Sequence, residues 1–344
     1  MRTRIFMAAL TVLLCFSCGN RSSKAPESIQ SNVSVENENV LRNDKITMIT
    51  NNNTFVIYMA GSGTITIDWG DGSSHETHVL LEYNKDDWGE QYEYSHNYST
   101  MASRSITVSG ENIKHLYCDG NDLTNLDVSK NNKLTNLHCS KNQLTSLSVN
   151  KNTALRVLEC SENPLTSLDV SNNIEMGILF CSNTKLASLD ISKNTELAML
   201  TCSNGKLTSL DLSKNTKLFF VSCGKNELTS LDVSNNINIL HLYCSNNKLT
   251  SLDVSNNVAL TSLHCSDNLL TSLDMTKNTK LLELSCCNNK LPTNALNALF
   301  KTLRHCVDEK GTILLCEDGA DCNTSIAENK GWSVHLLVRN LLLT

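Results

Sequence analysis

The sequence predicts a mainly β protein: a solenoid of about nine 21-residue coils, preceded by a β-sandwich and closed by a small α/β cap. Three observations carry this. Cysteines stand at 118, 139, 160, 181, 202, 223, 244, 265 and 286, each 21 residues after the last, without insertion or deletion. Around each cysteine, apolar and polar residues alternate over a few positions and then give way to a polar turn, which is the period of a strand. Each 21-residue unit holds two such pieces, which leaves no room for a helical stripe of about ten residues.

The gross numbers agree with a folded, non-nucleic-acid-binding chain. Of 344 residues 40% are hydrophobic, enough to bury a large core. A formal charge of −6 lacks the basic balance of a nucleic-acid binder. Three prolines and 14 glycines exclude a low-complexity chain.

In chain order, residues 1–18 read as an export signal rather than fold. Arg2 and Arg4 precede an apolar run, Ile5 to Phe16, that is too short to span a bilayer comfortably. The run ends in LLCFSCGN, which resembles a bacterial lipoprotein signal cleaved before Cys18, with the lipid on that cysteine. Cys15 stands where such signals usually carry leucine, and an ordinary secretory signal is the alternative. Either way the chain is exported. No acidic residue follows Cys18 directly, which resembles the outer-membrane sorting pattern. Residues 19–44, rich in Ser, Asn and Glu, read as a flexible tether.

Residues 45–110 change pattern. ITMIT, TFVIYMA, GTITIDW, THVLLEY, YEYSHNY and SITVSG read as short strands between Gly, Asn and Asp turns, an Ig-like β-sandwich. IDWGDG (67–72) with YSHNY (94–98) resembles a polycystic-kidney-disease-type domain, which implies a turn at WGDG and a later strand at the HxY segment; Asp68, Asp71 and His96 read as turn and core residues, with a metal or catalytic role as the alternative.

Residues 111–290 form the repeat. The unit LxxLxCSxNxLTSLDVSxNxx contains two half-motifs, LxxLxCxxN and LxxLxVxxN, each expected to hold a short strand. One coil cannot bury its own apolar row, but stacked coils bury a continuous core. At a strand spacing of about 4.8 Å, nine coils make a rod of roughly 40 Å. The motif in LTNLHCSKNQL (134–144) resembles the leucine-rich repeat family. The 21-residue length, with cysteine in place of a leucine, is similar to a bacterial subclass that includes an internalin with a cysteine ladder. That resemblance implies a surface protein that binds another macromolecule.

The cysteines themselves could be nucleophiles, metal ligands, disulfide halves or core. Parallel in-register neighbours suit disulfide geometry poorly, no CxxC pair converges on a metal, and nine identical inward copies suit no catalyst. Core is the reading. Asparagine stands at position +13 from the cysteine throughout the internal turns and at +3 except for Thr184 and Gly205; stacked amides there can satisfy turn backbone. The aspartate column (Asp127, Asp169, Asp190, Asp211, Asp232, Asp253 and Asp274, broken by Ser148) reads as a solvated face, with a calcium ladder as the alternative.

Candidate binding residues lie in the columns that vary. Positions −1 and −3 point away from the core by alternation. They place Val157, Ile178, Phe180, Met199 and Phe220 in the middle coils as an exposed apolar patch, with His241 and Tyr243 beside it. No nucleophile–base pair, phosphate loop or metal cluster is present, so no cofactor and no enzyme are expected. The expected partner is a protein. A glycan, suggested by Tyr117, Tyr243 and His241, and a purely structural spacer are the alternatives; membrane contact is through the N-terminal lipid alone.

Residues 291–344 close the rod. LPTNALNALFKTL reads as a helix N-capped by Thr293, with Ala295, Leu296, Leu299, Phe300 and Leu303 as its stripe. GTILLC reads as a strand, CNTSIAENKGW as a helix ending at Gly331 and WSVHLLV as a last strand. One disulfide is expected among Cys306, Cys316 and Cys322.

Overall fold

The computed structural model describes residues 23–24, 44–82, 92–307, 309–316 and 321–337. The expected signal segment with Cys18 and most of the expected tether lie outside the described residues.

The N-terminal strands follow the alternating stretches: β1 (Ser23–Lys24), β2 (Lys45–Thr50), β3 (Thr54–Gly61), β4 (Gly63–Asp68), β5 (Glu76–Leu80), β6 (Tyr92–Asn97) and β7 (Arg104–Gly110). Every second residue faces inward, so Ile46, Met48, Phe55, Ile57, Ile65, Ile67, Ile106 and Val108 are fully buried. The WGDG segment makes the tight corner. Gly70 sits at φ +74, and a Cβ there would meet the Ser105 carbonyl at 2.3 Å. Trp69 stacks on His96 at 5.2 Å, Tyr98 donates its hydroxyl proton to the Trp69 carbonyl at 2.8 Å, and His96 lies 2.7 Å from Asp71. These residues hold a turn against a core.

The two sheets of this region do not stop at its edge. β8 (Ile113–Tyr117), the first repeat strand, pairs antiparallel with β3 and parallel with β10 (Asn136–His138). β9 (Leu123–Asp127) joins the other sheet by pairing with β2. A 14-stranded sheet therefore runs from β1 through the repeats to the C-terminus, and a 5-stranded sheet lies beside it at the N-terminal end. The sandwich covers the open end of the solenoid core by continuing it.

Each later coil adds one three-residue strand at positions −3 to −1: β11 (Val157–Glu159), β12 (Ile178–Phe180), β13 (Met199–Thr201), β14 (Phe220–Ser222), β15 (His241–Tyr243), β16 (Ser262–His264) and β17 (Glu283–Ser285). All pair in parallel with a constant offset of 21 residues. The second half-motif differs from expectation. Among the described residues it is a strand only in the first coil, where β2 supplies a partner. Further along, the aspartate bends the chain instead: the Ser171 N–H donates to Asp169 Oδ1 at 3.0 Å, and the same turn recurs at Asp190, Asp211, Asp232 and Asp253.

The C-terminal piece extends the long sheet by β18 (Gly311–Cys316) and β19 (Trp332–Leu337), both parallel. The helix Thr293–Thr302 lays Leu296, Leu299 and Phe300 on the last coil. Its N-cap is Pro292 rather than Thr293, and no side chain caps it. The second helix is short, Ser325–Glu328. Cys306 and Cys322 are both free thiols, so the expected disulfide is not formed.

Candidate binding face

The repeat columns divide into those that build the coil and those that do not. Cys118, Cys139, Cys160, Cys181, Cys202, Cys223, Cys244 and Cys265 are free and buried. Burial pushes their thiols up, Cys223 to about 12, which disfavours a free thiolate inside the core. Their side chains fill the core two positions after Leu137, Leu158, Leu179 and their equivalents, all fully buried.

The asparagines are the coil-to-coil fasteners. Asn142 Oδ1 accepts from the Asn121 N–H at 3.0 Å and the Leu123 N–H at 2.9 Å, while its Nδ2 donates to Cys118, Cys139 and Ser140 carbonyls. At position +13, Asn152 Nδ2 donates to the Val128 and Asn131 carbonyls one coil back, and this repeats through Asn278. The aspartates are exposed and locally satisfied. The Ser171 N–H and then its hydroxyl hold the Asp169 carboxyl below its ordinary value. Among the described residues no group of three His, Cys, Asp or Glu could hold a metal ion.

The varying columns lie on the other face of the 14-stranded sheet. Val157, Ile178, Met199, Phe220 and His241 are register partners in successive strands, as are Glu159, Phe180, Thr201, Ser222 and Tyr243. Strand spacing of about 4.8 Å brings large side chains of adjacent coils into contact. Phe180, Met199 and Phe220 form a small apolar cluster separate from the main core, with Ile178, Phe219 and Tyr243 packed against it. Tyr243 meets Phe220 edge-on at 5.5 Å, and His241 lies 6.0 Å from Phe220. Val157 sits one strand outside the cluster.

This corrects the expectation of an exposed patch. Phe180, Met199 and Phe220 are only 8%, 3% and 5% exposed. Ile178, Tyr243, His241 and Val157 are half-buried. Lateral stacking in register lets these side chains shield one another, an effect that alternation within a single strand does not reveal. Phe219 belongs to the same cluster from position −4, a column that carries Lys114, Arg156, Ala198 and Leu240 elsewhere and that the two-column reading passes over.

Polar clusters flank the apolar one. Toward the N-terminus, Tyr117 packs on His138 at 4.2 Å, and His138 Nδ1 lies 3.1 Å from Glu159 Oε2. Burial pushes the nearby His115 down to about 4, so it is neutral at physiological pH. Toward the C-terminus, Tyr243 packs on His264 at 4.6 Å, and the Ser262 hydroxyl donates to Glu283 at 2.8 Å. His241 and His264 are also held below their ordinary value, first by burial. The arrangement offers shape, apolar area and carboxylate side chains.

No family model and no curated protein matches the chain. Solved structures do. The functional domain of InlJ from Listeria monocytogenes, which includes a cysteine ladder, is similar at 28% identity and a TM-score of 0.52, over 70% of this chain and 56% of that one. A leucine-rich repeat protein from Leptospira interrogans is similar at 20% identity and a TM-score of 0.52, over 60% of this chain and 56% of that one. The chain thus spans just over half the length of each. Its fold is a leucine-rich repeat solenoid with a cysteine in the core column of every coil.

Proposed function

We propose that this is an exported, lipid-anchored surface protein that binds a protein partner through the outer face of its long sheet. One observation carries the reading. Core and turn columns repeat the same residue coil after coil, whereas positions −1, −3 and −4 change, and the large apolar and aromatic side chains of those columns gather in the middle coils. Aromatic and methionine side chains bounded by polar ones have the composition of an interface centre. The resemblance of LLCFSCGN to a lipoprotein signal supports the anchor at Cys18.

The double variant Phe219→Ser/Tyr243→Ala tests the face, because both residues are half-buried and lie outside the main core. It is a cleaner probe than changing Phe180 and Phe220 to aspartate, which would bury charge. Protein extracts from cell surfaces, applied to the immobilised chain, should lose at least ten-fold in retained partner with the variant at unchanged melting temperature. Equal retention, or saturable binding to polysaccharide alone, would refute a protein partner. For the anchor, Cys18→Ser should move the protein from the membrane fraction to the soluble one.

A further inference from the structure

We infer that the partner surface has apolar side chains at its centre and basic side chains at both ends. This rests on the sheet face being the binding face. Charge complementarity is the argument. Across positions −1, −3 and +1 of all nine coils the only Asp, Glu, Lys or Arg residues are Asp119, Glu159 and Glu283, all acidic; burial pushes the Asp119 carboxyl up to about 6, still below neutral pH. The two cations of position −4 are already engaged: Lys114 Nζ lies 3.5 Å from Glu82 Oε1, and Arg156 donates to Glu175 at 2.8 Å. Glu159 is itself engaged, with His138 Nδ1 3.1 Å from its Oε2, so the end charges that face a partner are Asp119 and Glu283.

Two of the three carboxylates also stand at the ends. Asp119 is exposed in the first coil and accepts from the Ser140 N–H; later coils carry serine there except at Gly224 and Cys287, and Ser161 and Ser182 hydroxyls do the same job without charge. Glu159 stands in the third coil. Glu283 stands in the last, exposed, accepting from the Ser262 hydroxyl and 3.9 Å from His264. Between them lie Ile178, Phe219 and Tyr243 on a floor of Phe180, Met199 and Phe220, with no fixed charge in those three columns. From Glu159 to Glu283 is six strands, about 29 Å at ~4.8 Å each. The basic groups of the partner must therefore span roughly 30–40 Å, counting Asp119. A carboxylate pair at that spacing rewards two cations and penalises an acidic partner.

The test selects a displayed library of random peptides of about 16 residues, long enough to cross the face at ~3.3 Å per residue, on the purified chain. Enriched sequences should carry Lys or Arg on both sides of an apolar run. Their affinity should fall at least five-fold against Asp119→Asn/Glu283→Gln and should weaken with added salt. Enriched sequences without flanking basic residues, or equally bound by that variant, overturn the inference; if they still lose binding to Phe219→Ser/Tyr243→Ala, the face reading stands. Enriched sequences bound equally by the latter variant overturn both.

Discussion

The residue two positions after each cysteine is left-handed. Lys141, Glu162, Asn183, Asn204, Lys225, Asn246, Asp267 and Asn288 all have φ between 49° and 58°. This conformation turns the chain out of the strand while letting the N–H of the same residue reach the next coil, as Glu162 does to the Ser182 carbonyl at 2.8 Å. Asparagine and aspartate adopt it readily; glutamate and lysine do so at a cost. The sequence shows this column as mixed polar and hides its constraint, because any hydrophilic residue satisfies a polar pattern. Glu162→Asn should stabilise the protein by about 0.5–1 kcal/mol. Chemical denaturation would register it as a raised midpoint at constant slope; a lowered midpoint would contradict the strain argument.

The coil is the element, and its cohesion comes from backbone satisfied by side chains of the next coil. Where position +3 is Asn163, its Oδ1 accepts the Leu144 N–H at 3.0 Å. Thr184 makes only a bond to the Cys181 carbonyl at 3.0 Å within its own coil, and Gly205 has no side chain to offer. The bridge to the preceding coil is therefore lost at both. Restoring it with Thr184→Asn should add about 1 kcal/mol, the net value of a buried hydrogen bond. Gly205→Asn should gain less, because a Cβ there would stand 2.9 Å from Asn226 Oδ1. Equal gains in thermal unfolding, or none at Thr184, would argue against the fastener role. The two breaks fall in the same coils as the apolar cluster, a coincidence for which the geometry supplies no cause.

At the scale of the whole molecule, the solenoid has two ends that a rod of identical coils would leave wet. The helix Thr293–Thr302 covers one, with Arg304 Nε donating to the Leu281 carbonyl at 2.8 Å and Trp332 Nε1 donating to the Arg304 carbonyl at 2.9 Å. The N-terminal strands cover the other by sharing both sheets with the first coil. Thr50 bonds the Asn121 carbonyl at 2.5 Å and Asn121 bonds both the N–H and the carbonyl of Val56. Removing residues 44–110 should therefore expose Leu116, Leu123 and Leu126 and lower the melting temperature of the remaining rod by more than 10 °C, with aggregation on size-exclusion chromatography. A truncated rod that melts at the full-length temperature would show the two parts to be independent.

The repeat made the coil legible. A column occupied by the same residue in every coil does the same job in every coil, so the strand before each cysteine, the inward cysteines and the asparagine fasteners follow from spacing, whereas the second expected strand of each coil forms only where β2 pairs with it. The N-terminal and C-terminal strands followed from period-2 alternation and turn residues. What required the tertiary structure was lateral: whether an outward side chain is exposed depends on neighbours 21 and 42 residues away in sequence. Thus Phe180, Met199 and Phe220 leave their strands on the outer face yet end up buried, and Phe219 joins them from a column that no single-strand pattern marks. The merger of sandwich and rod into common sheets was hidden for the same reason, since hydrogen bonding between β3 and β8 or between β2 and β9 leaves no local signature in either strand.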